Sequence, residues 1–154
     1  MSCYEIGIEG FDETYPEVQT LYREHYQEMV DRLAKDGIEM SPYNPRLDEY
    51  SKASMGGWLI TIIARHEGKA VGYLNVYVTQ DMHNRDIIAQ EDTIFVTKSH
   101  RNGLGKELVK YGLNELRSRG VKRLHVSAMT DLRVAKLWER MGFKHAAHQM
   151  IYTF

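Results

Sequence analysis

The sequence predicts one α/β (α+β) domain over residues 1–154, with a mixed, mostly antiparallel and twisted sheet of six to seven strands flanked by helices. The length of 154 residues and the 43% hydrophobic content fit a single domain with its own core. Short runs rich in β-branched and aromatic residues come first and favour antiparallel hairpins. A strand–helix–strand succession follows, and such a crossover makes two strands parallel.

The first third of the chain carries one strand signal and two helix signals. Residues 4–9 alternate between apolar and polar types and predict a strand. Thr14 and Glu17 have the spacing of a capping box, so a helix is expected from there to a stop near Gly37. Residues 48–53 predict a short second helix.

The middle of the chain predicts three strands. Residues 58–65 and 70–79 are rich in β-branched and aromatic types, and Glu67-Gly68-Lys69 between them is typical of a hairpin turn. A polar connection leads to residues 87–96, the fourth strand of the chain.

The last third alternates helices and strands. An amphipathic helix is predicted over residues 105–119 and a strand over residues 121–128. Thr130 or Asp131 is expected to cap a last helix, and residues 149–154 are expected to close the chain as a strand.

The two parts of the chain carry opposite charge. Residues 1–96 hold 8 Lys+Arg and 17 Asp+Glu, and residues 97–154 hold 12 and 4, which together make the 20 basic and 21 acidic residues of the chain. The net charge of −1 argues against a nucleic-acid partner. The asymmetry indicates an anionic ligand beside the basic part and a cationic one beside the acidic part, unless the charges have simply drifted apart.

Cysteine content and hydropathy indicate a cytoplasmic protein with no membrane partner. Cys3 is the only cysteine, so no internal disulfide can form, and this fits a reducing compartment. The chain opens without a signal-peptide pattern, and no apolar run approaches the ~18–20 residues of a membrane span.

The segment from Val96 to Leu108 carries the strongest functional signal. A strand runs into a short basic loop with Gly103 and Gly105, and the loop opens directly into a helix. Amides at a helix start are unpaired and carry partial positive charge, so the loop suits a pyrophosphate. The spacing excludes a P-loop, and a dinucleotide fingerprint lacks its third glycine because residue 108 is leucine.

Two motifs within this order of elements resemble the GNAT superfamily of N-acetyltransferases. The first is His100-Arg-Asn-Gly-Leu-Gly105, which is similar to the family's Arg/Gln-x-x-Gly-x-Gly/Ala loop, and the second is Leu137-Trp-Glu-Arg-Met-Gly-Phe143. Tyr50 and the Glu91-Asp92 pair also resemble small members often encoded by phages. The resemblance implies the GNAT fold and transfer of an acetyl group from acetyl-CoA to an amine.

The resemblance implies a set of cofactor-binding residues, and the chain departs from the family at His100, at Trp138 and at Asp131, which replaces a frequent asparagine at the helix start. The expected contacts to acetyl-CoA are the strand backbone, the loop and the last helix, namely Phe95, Val96, Arg101, Asn102, Gly103, Leu104, Gly105, Lys106, Asp131 and Trp138. His100 stands where the family has Arg or Gln, unless Arg101 takes that position. Trp138 replaces a tyrosine that many members use as an acid, so it either packs against the cofactor or belongs to the core.

Glu91 and Asp92 are the candidate catalytic bases. An amine must lose a proton to attack a thioester, and a carboxylate near neutrality helps it do so. Adjacent strand residues point to opposite faces, so Asp92 is expected to share a face with Ile94, and Glu91 with Thr93. The alternative is that both are surface charges and that water relays the proton.

The partners expected from these observations are acetyl-CoA as co-substrate and a small-molecule or protein amine as acceptor. No metal is expected, because His145 and His148 lack a further ligand at suitable spacing. A homodimer fits the sheet-edge pairing common in such folds. The alternative functions are a non-catalytic acyl-CoA-binding module and a nucleotide-phosphate binder that uses the same loop.

Overall fold

The computed structural model describes residues 3–129 and 133–154, and these form a five-stranded sheet with helices on both faces. The elements along the chain are β1 (Tyr4–Ile8), α1 (Phe11–Ala34), α2 (Leu47–Met55), β2 (Leu59–His66), β3 (Lys69–Gln80), β4 (Ile87–Val96), a 3-10 helix (Lys98–His100), α3 (Leu104–Ser118), β5 (Arg123–His125) and α4 (Arg133–Arg140). The strands lie in chain order, antiparallel except for the parallel pair β4–β5. The predicted class of fold is confirmed.

The strand count of six to seven is wrong for the described residues, because residues 149–154 form no strand. The chain from 144 to 154 has no regular secondary structure, and Met150, Tyr152 and Phe154 are exposed. The predicted strand over residues 121–128 shrinks to Arg123–His125. An alternating pattern becomes a strand only when a neighbouring edge pairs with it, and β5 offers just three residues of edge.

The start of α1 also differs from the capping-box prediction. The helix begins at Phe11, and its first N–H donates to the Ser54 hydroxyl of α2 at 3.2 Å. Thr14 lies inside the first turn, where its hydroxyl donates to the Gly10 carbonyl at 2.9 Å. Glu17 binds the β2–β3 hairpin instead of closing a capping box. A cap supplied by another helix leaves no local signature in the sequence.

Two apolar clusters cover the two faces of the sheet. Alternation along β2 and β3 places Ile62 and Leu74 on the face that packs against Leu108 of α3. Ile63 and Tyr73 point to the opposite face, beneath α1 and α2. The predicted amphipathic helix over residues 105–119 is thus confirmed as α3, which holds one face of the sheet.

The parallel pair β4–β5 separates soon after it forms. Pairing runs only from Ile88 to Gln90 on β4, opposite Arg123 to His125 on β5. Among the described residues, no strand pairs with this edge of β4 over residues 91–96. The sheet therefore opens a gap beside the second half of β4.

Candidate active site

The loop that follows β4 presents a row of unpaired amides. Gly103 precedes α3 with a φ of +104°, which favours glycine, and a Cβ at this position would meet nothing within 4 Å. In the described parts of the chain, no acceptor is found for the N–H groups of residues 103–106. Together with the helix dipole, these amides form a positive site that an anion can approach.

Two of the predicted donor amides are engaged within the loop itself. The N–H of Asn102 donates to the His100 carbonyl at 2.9 Å, and the N–H of Arg101 donates to the Lys98 carbonyl at 3.4 Å. The expected row of unpaired amides therefore begins at Gly103, two residues later than Arg101, where the prediction starts. The intervening 3-10 turn explains the difference, because it uses these N–H groups for its own bonds.

The side chain of Arg101 points away from the loop. Its Nε donates to the Val96 carbonyl at 2.7 Å, and its terminal nitrogen pairs with Glu28 of α1 at 2.9 Å. The guanidinium also lies 5.1 Å from the centroid of the Phe95 ring. Lys106 is exposed and has no ion-pair partner among the described residues, so it is the predicted loop cation that remains free for an anion.

His100 is part of a packed aromatic cluster. Its Nδ1 lies 2.9 Å from the Tyr4 hydroxyl, and its ring lies 5.0 Å from that of His66. The residue therefore links the loop to β1 and β2. Either His100 or Arg101 can be aligned with the Arg or Gln of the family motif, and neither side chain is a free cation, because His100 is packed in this cluster and Arg101 pairs with Glu28.

The open edge of β4 offers backbone groups to the gap. The N–H of Thr97 donates to Val71 of β3, and alternate residues of an antiparallel pair point to the partner strand. The N–H groups of Phe95 and Thr97 therefore face β3, whereas those of Ile94 and Val96 face the gap. The N–H of Phe95, a predicted backbone contact, therefore points away from the gap, and the N–H of Ile94 points into it instead.

Trp138 is a buried residue of α4. Its indole N–H donates to the Ser127 carbonyl at 3.0 Å, and its ring packs against Phe143 at 5.2 Å. The ring therefore holds the chain after β5 against α4, which corresponds to the core interpretation of this position. Asp131, the other predicted contact from this region, lies outside the described residues.

A β-bulge decides where the two candidate carboxylates point. Thr93 pairs with Asn75 and Glu91 pairs with Val76, so Asp92 is an extra residue in β4. Asp92 and Thr93 both line a cavity on the α1 side, whereas Glu91 shares the opposite face with Val76. The strict alternation expected from the sequence is therefore wrong, and only Asp92 reaches the cavity wall.

This cavity, which we call the tyrosine pocket, has a volume of about 260 Å³. It lies between α1, the segment before α2, α2 and β4. Most of its lining is aromatic or apolar, and the full set is Phe11, Tyr15, Tyr22, His25, Tyr26, Met29, Tyr43, Pro45, Leu47, Tyr50, Asp92 and Thr93. The open edge of β4 begins at the same residues, so the pocket adjoins the gap.

The electrostatics of the pocket centre on Asp92. The Tyr50 hydroxyl donates to its carboxylate at 2.7 Å, and burial nevertheless raises the pKa of Asp92 above its usual value. Burial, with a contribution from the charge of Asp92, raises the pKa of Glu91 to about 8. Burial also lowers the pKa of His25 to about 4, so this ring is neutral at physiological pH.

Sequence reasoning missed most of the pocket. The lining residues Phe11, Tyr15, Tyr22, His25 and Tyr43 belong to no sequence motif. The one available signal was the high tyrosine content of ten residues. These side chains converge only because separate segments fold onto the same face of the sheet.

The chain belongs to the acetyltransferase (GNAT) family, whose family model matches residues 15–143. This is the class that the fold, the glycine loop (residues 97–106) and the open edge of β4 define. Members of the class transfer acetyl groups. No match was found among curated protein sequences.

Several solved structures share the fold over nearly the whole chain. A ribosomal-protein-alanine N-acetyltransferase from Brucella melitensis biovar Abortus 2308 has a TM-score of 0.72 at 18% identity, covering 97% of this chain and 99% of that one. An aminoglycoside acetyltransferase, HMB0005, from an uncultured soil metagenomic sample has a TM-score of 0.74 at 18% identity, covering 100% and 99%. A GCN5-related N-acetyltransferase from Ralstonia eutropha JMP134 has a TM-score of 0.76 at 17% identity, covering 97% and 98%.

The described residues show neither a metal site nor a membrane-spanning helix. No group of three or more His, Cys, Asp or Glu side chains is arranged to hold a metal ion there. Within the same residues, none of the helices combines the length and the apolar character needed to cross a membrane.

Proposed function

We propose that the protein transfers the acetyl group of acetyl-CoA to a primary amine while both substrates are bound. One juxtaposition carries this proposal: the unpaired amides of residues 103–106 lie just beyond the strand whose edge is open from residue 91. A pyrophosphate at these amides directs the rest of an extended coenzyme along the open edge. Its acyl end then comes near the tyrosine pocket.

The residues present fit acetyl-CoA as co-substrate, which supplies the activated thioester. The amides of Gly103, Leu104, Gly105 and Lys106 would hold the pyrophosphate, and the Lys106 ammonium would add a full charge. The N–H groups of Ile94 and Val96 would pair with the pantetheine arm. A donor at this edge also stabilises charge that develops on the carbonyl oxygen, and loss of such a donor typically costs ~10²–10³ in rate.

Asp92 is the carboxylate proposed to receive the amine. It lies in the pocket wall at the start of the open edge, where it can bind the ammonium and accept a proton. The amine nitrogen then forms a bond to the acetyl carbon, the carbon–sulfur bond breaks, and the nitrogen's second proton passes through water to the departing thiolate. Glu91 lies on the other face of the sheet and, with a pKa of about 8, is mostly protonated at neutral pH, so it has no part in this step.

Trp138 favours one alternative function, a module that binds acetyl-CoA without turnover. The indole N–H is already bonded to Ser127, so α4 supplies no acid at this position. An alkyl thiolate has a pKa near 8.5 and leaves without one, because water can protonate it. The transferase therefore remains the function that the site supports best.

A charge-reversal pair on α3 tests the proposal. Lys106→Glu places an anion beside the pyrophosphate site, whereas Lys110→Glu makes the same change one turn away on an exposed position. Isothermal titration with CoA should show at least a tenfold loss of affinity, about 1.4 kcal/mol, for Lys106→Glu only. Equal losses of CoA affinity in the two variants would contradict the proposed pyrophosphate site.

Turnover is tested on the unmodified protein by thiol release from acetyl-CoA with a panel of primary amines. Release above the background without amine supports the transferase. Tight CoA binding with no release for any amine supports the non-catalytic module. Thermal stabilisation by ATP but not by CoA supports the nucleotide binder.

A further inference from the structure

The wall of the tyrosine pocket is a fixed aromatic surface. The Phe11 ring stacks on Tyr50 at 4.9 Å and 13°, and on Tyr15 at 5.2 Å and 28°. The hydroxyls of Tyr15 and Tyr43 lie 2.9 Å apart in a hydrogen bond. Phe11 therefore lies between Tyr15 and Tyr50, and the rings hold one another in place. The apolar area that the rings leave uncovered suits a hydrocarbon body.

Asp92 supplies the formal charge of this pocket. The lining within the described residues contains no Lys, Arg or Glu. The tyrosines stay protonated, because burial raises the pKa of Tyr22, Tyr43 and Tyr50 well above the usual value. His25 is neutral for the same reason of burial, so the lining itself holds no cation, although the Arg23 guanidinium lies 4.9 Å from the centroid of the Tyr43 ring.

The acidic residues of the first half of the chain do not converge on the pocket. Glu28 pairs with Arg101, and Glu9 and Glu17 both pair with Arg65. The cationic partner expected from the overall charge asymmetry therefore meets one carboxylate in the pocket rather than a cluster.

The position of Asp92 fixes the orientation of a bound amine. The bulge places this carboxylate at the start of the open edge of β4, next to the gap proposed for the acyl arm. An ammonium drawn to Asp92 is therefore the reacting nitrogen. The rest of the molecule must extend away from the gap, among the rings of Phe11, Tyr15 and Tyr43.

The volume of this pocket argues against a large ligand, and its polarity argues against a polycation. The volume of about 260 Å³ falls below the range of about 300–1,000 Å³ usual for drug-sized ligands. A second ammonium would lie among aromatic side chains without a carboxylate, and an unpaired buried charge is strongly unfavourable.

We infer that the acceptor is a small primary amine with one cationic nitrogen and an apolar body, preferably an aromatic one. This inference rests on the proposed acetyl transfer, since it names the acceptor class of that reaction. An aromatic cage with one carboxylate selects such a molecule by charge at one end and by ring contacts at the other.

Binding to the protein without acetyl-CoA tests the inference apart from the reaction. The probes are 2-phenylethylamine and 2-phenylethanol, which have nearly the same shape but differ in charge. Titration followed by NMR should show the amine binding at least about tenfold more tightly than the alcohol. Asp92→Asn should remove this difference, whereas Asp48→Asn, the same change at an exposed position on α2, should retain it.

Transfer assays then separate this inference from the proposed function. Thiol release should be faster with 2-phenylethylamine than with spermidine or kanamycin at equal concentration. Faster release with either polycation overturns the inference but leaves the transferase intact. Selective amine binding at Asp92 without any release overturns the transferase but supports the pocket. Equal binding of amine and alcohol to the unaltered protein overturns the inference.

Discussion

The glycine loop, residues 97–106, and the tyrosine pocket lie near the two ends of the same open edge of β4 but are built differently. The loop is exposed, basic and continuous in sequence, and its function resides in backbone amides. The pocket is aromatic, carries one carboxylate and is assembled from α1, α2, the segment between them and β4. A local motif thus defines the proposed co-substrate site, whereas tertiary packing defines the proposed acceptor site.

The largest expected effect on activity comes from a substitution in the tyrosine pocket. Asp92→Asn should lower kcat/KM for the amine by at least about 100-fold, because it removes both the charge partner of the ammonium and a proton acceptor. The affinity for CoA should stay at the wild-type level. Steady-state kinetics and CoA titration measure the two effects. A variant that loses CoA affinity instead would show that the pocket and the co-substrate site are not separate.

A smaller effect is expected from a methyl group in the loop. Gly103→Ala should raise KM for acetyl-CoA by about tenfold, since the new Cβ enters the space where the pyrophosphate is proposed to bind. Gly142→Ala is the matched control, because its φ of +94° and open surroundings resemble the +104° of Gly103. Both variants should melt at similarly reduced temperatures, as left-handed alanine costs about 1–2 kcal/mol. An equal rise in KM for both would point to strain rather than to a blocked site.

The pH dependence of the free energy of unfolding tests the separate positions of Glu91 and Asp92. The pKa of Glu91 is raised from 4.5 to about 8 in the folded protein. Between these values the folded state binds the extra proton, so the free energy of unfolding falls as pH rises, by at most about 1.4 kcal/mol per unit. Glu91→Gln removes this term, so its melting temperature should decline less than that of wild type from about pH 5 to about pH 8. Parallel melting curves would show that Glu91 is not buried as described.

The smallest expected effect comes from the hydroxyls of the pocket. Tyr15→Phe and Tyr43→Phe each remove the same bond between the two hydroxyls and keep both rings, so each should lower stability by about 1 kcal/mol. The double variant should lose little more than either single one, because the bond is already gone. Amine affinity should change by less than about threefold. A larger change would mean that hydroxyls, not ring faces, hold the substrate.

Features set by short-range sequence were predictable. Gly68 follows Glu67 in the β2–β3 turn, and both have positive φ, as the hairpin prediction requires. The glycine loop and α3 were likewise located from adjacent residues. The helical spacing of Leu108, Val109 and Leu116 predicts which face of α3 packs on the sheet.

Features set by distant contacts were not predictable. The bulge at Asp92 depends on how β4 pairs with β3, and a run of alternating residues gives no sign of an extra one. The charge of Arg101 predicts a side chain directed to the loop, yet Glu28 of α1, 73 residues away, binds it. The last predicted strand failed for the same reason, since its pairing partner could not be judged from its own residues.

The central claim is that the amides of residues 103–106 bind the pyrophosphate of coenzyme A, and amide chemical shifts measure this directly. Addition of CoA to ¹⁵N-labelled protein should shift the resonances of Gly103, Leu104, Gly105 and Lys106, while pantetheine, which lacks the pyrophosphate, should leave them nearly unchanged. Saturating CoA that moves none of these four resonances, or pantetheine that moves them equally, would contradict the claim.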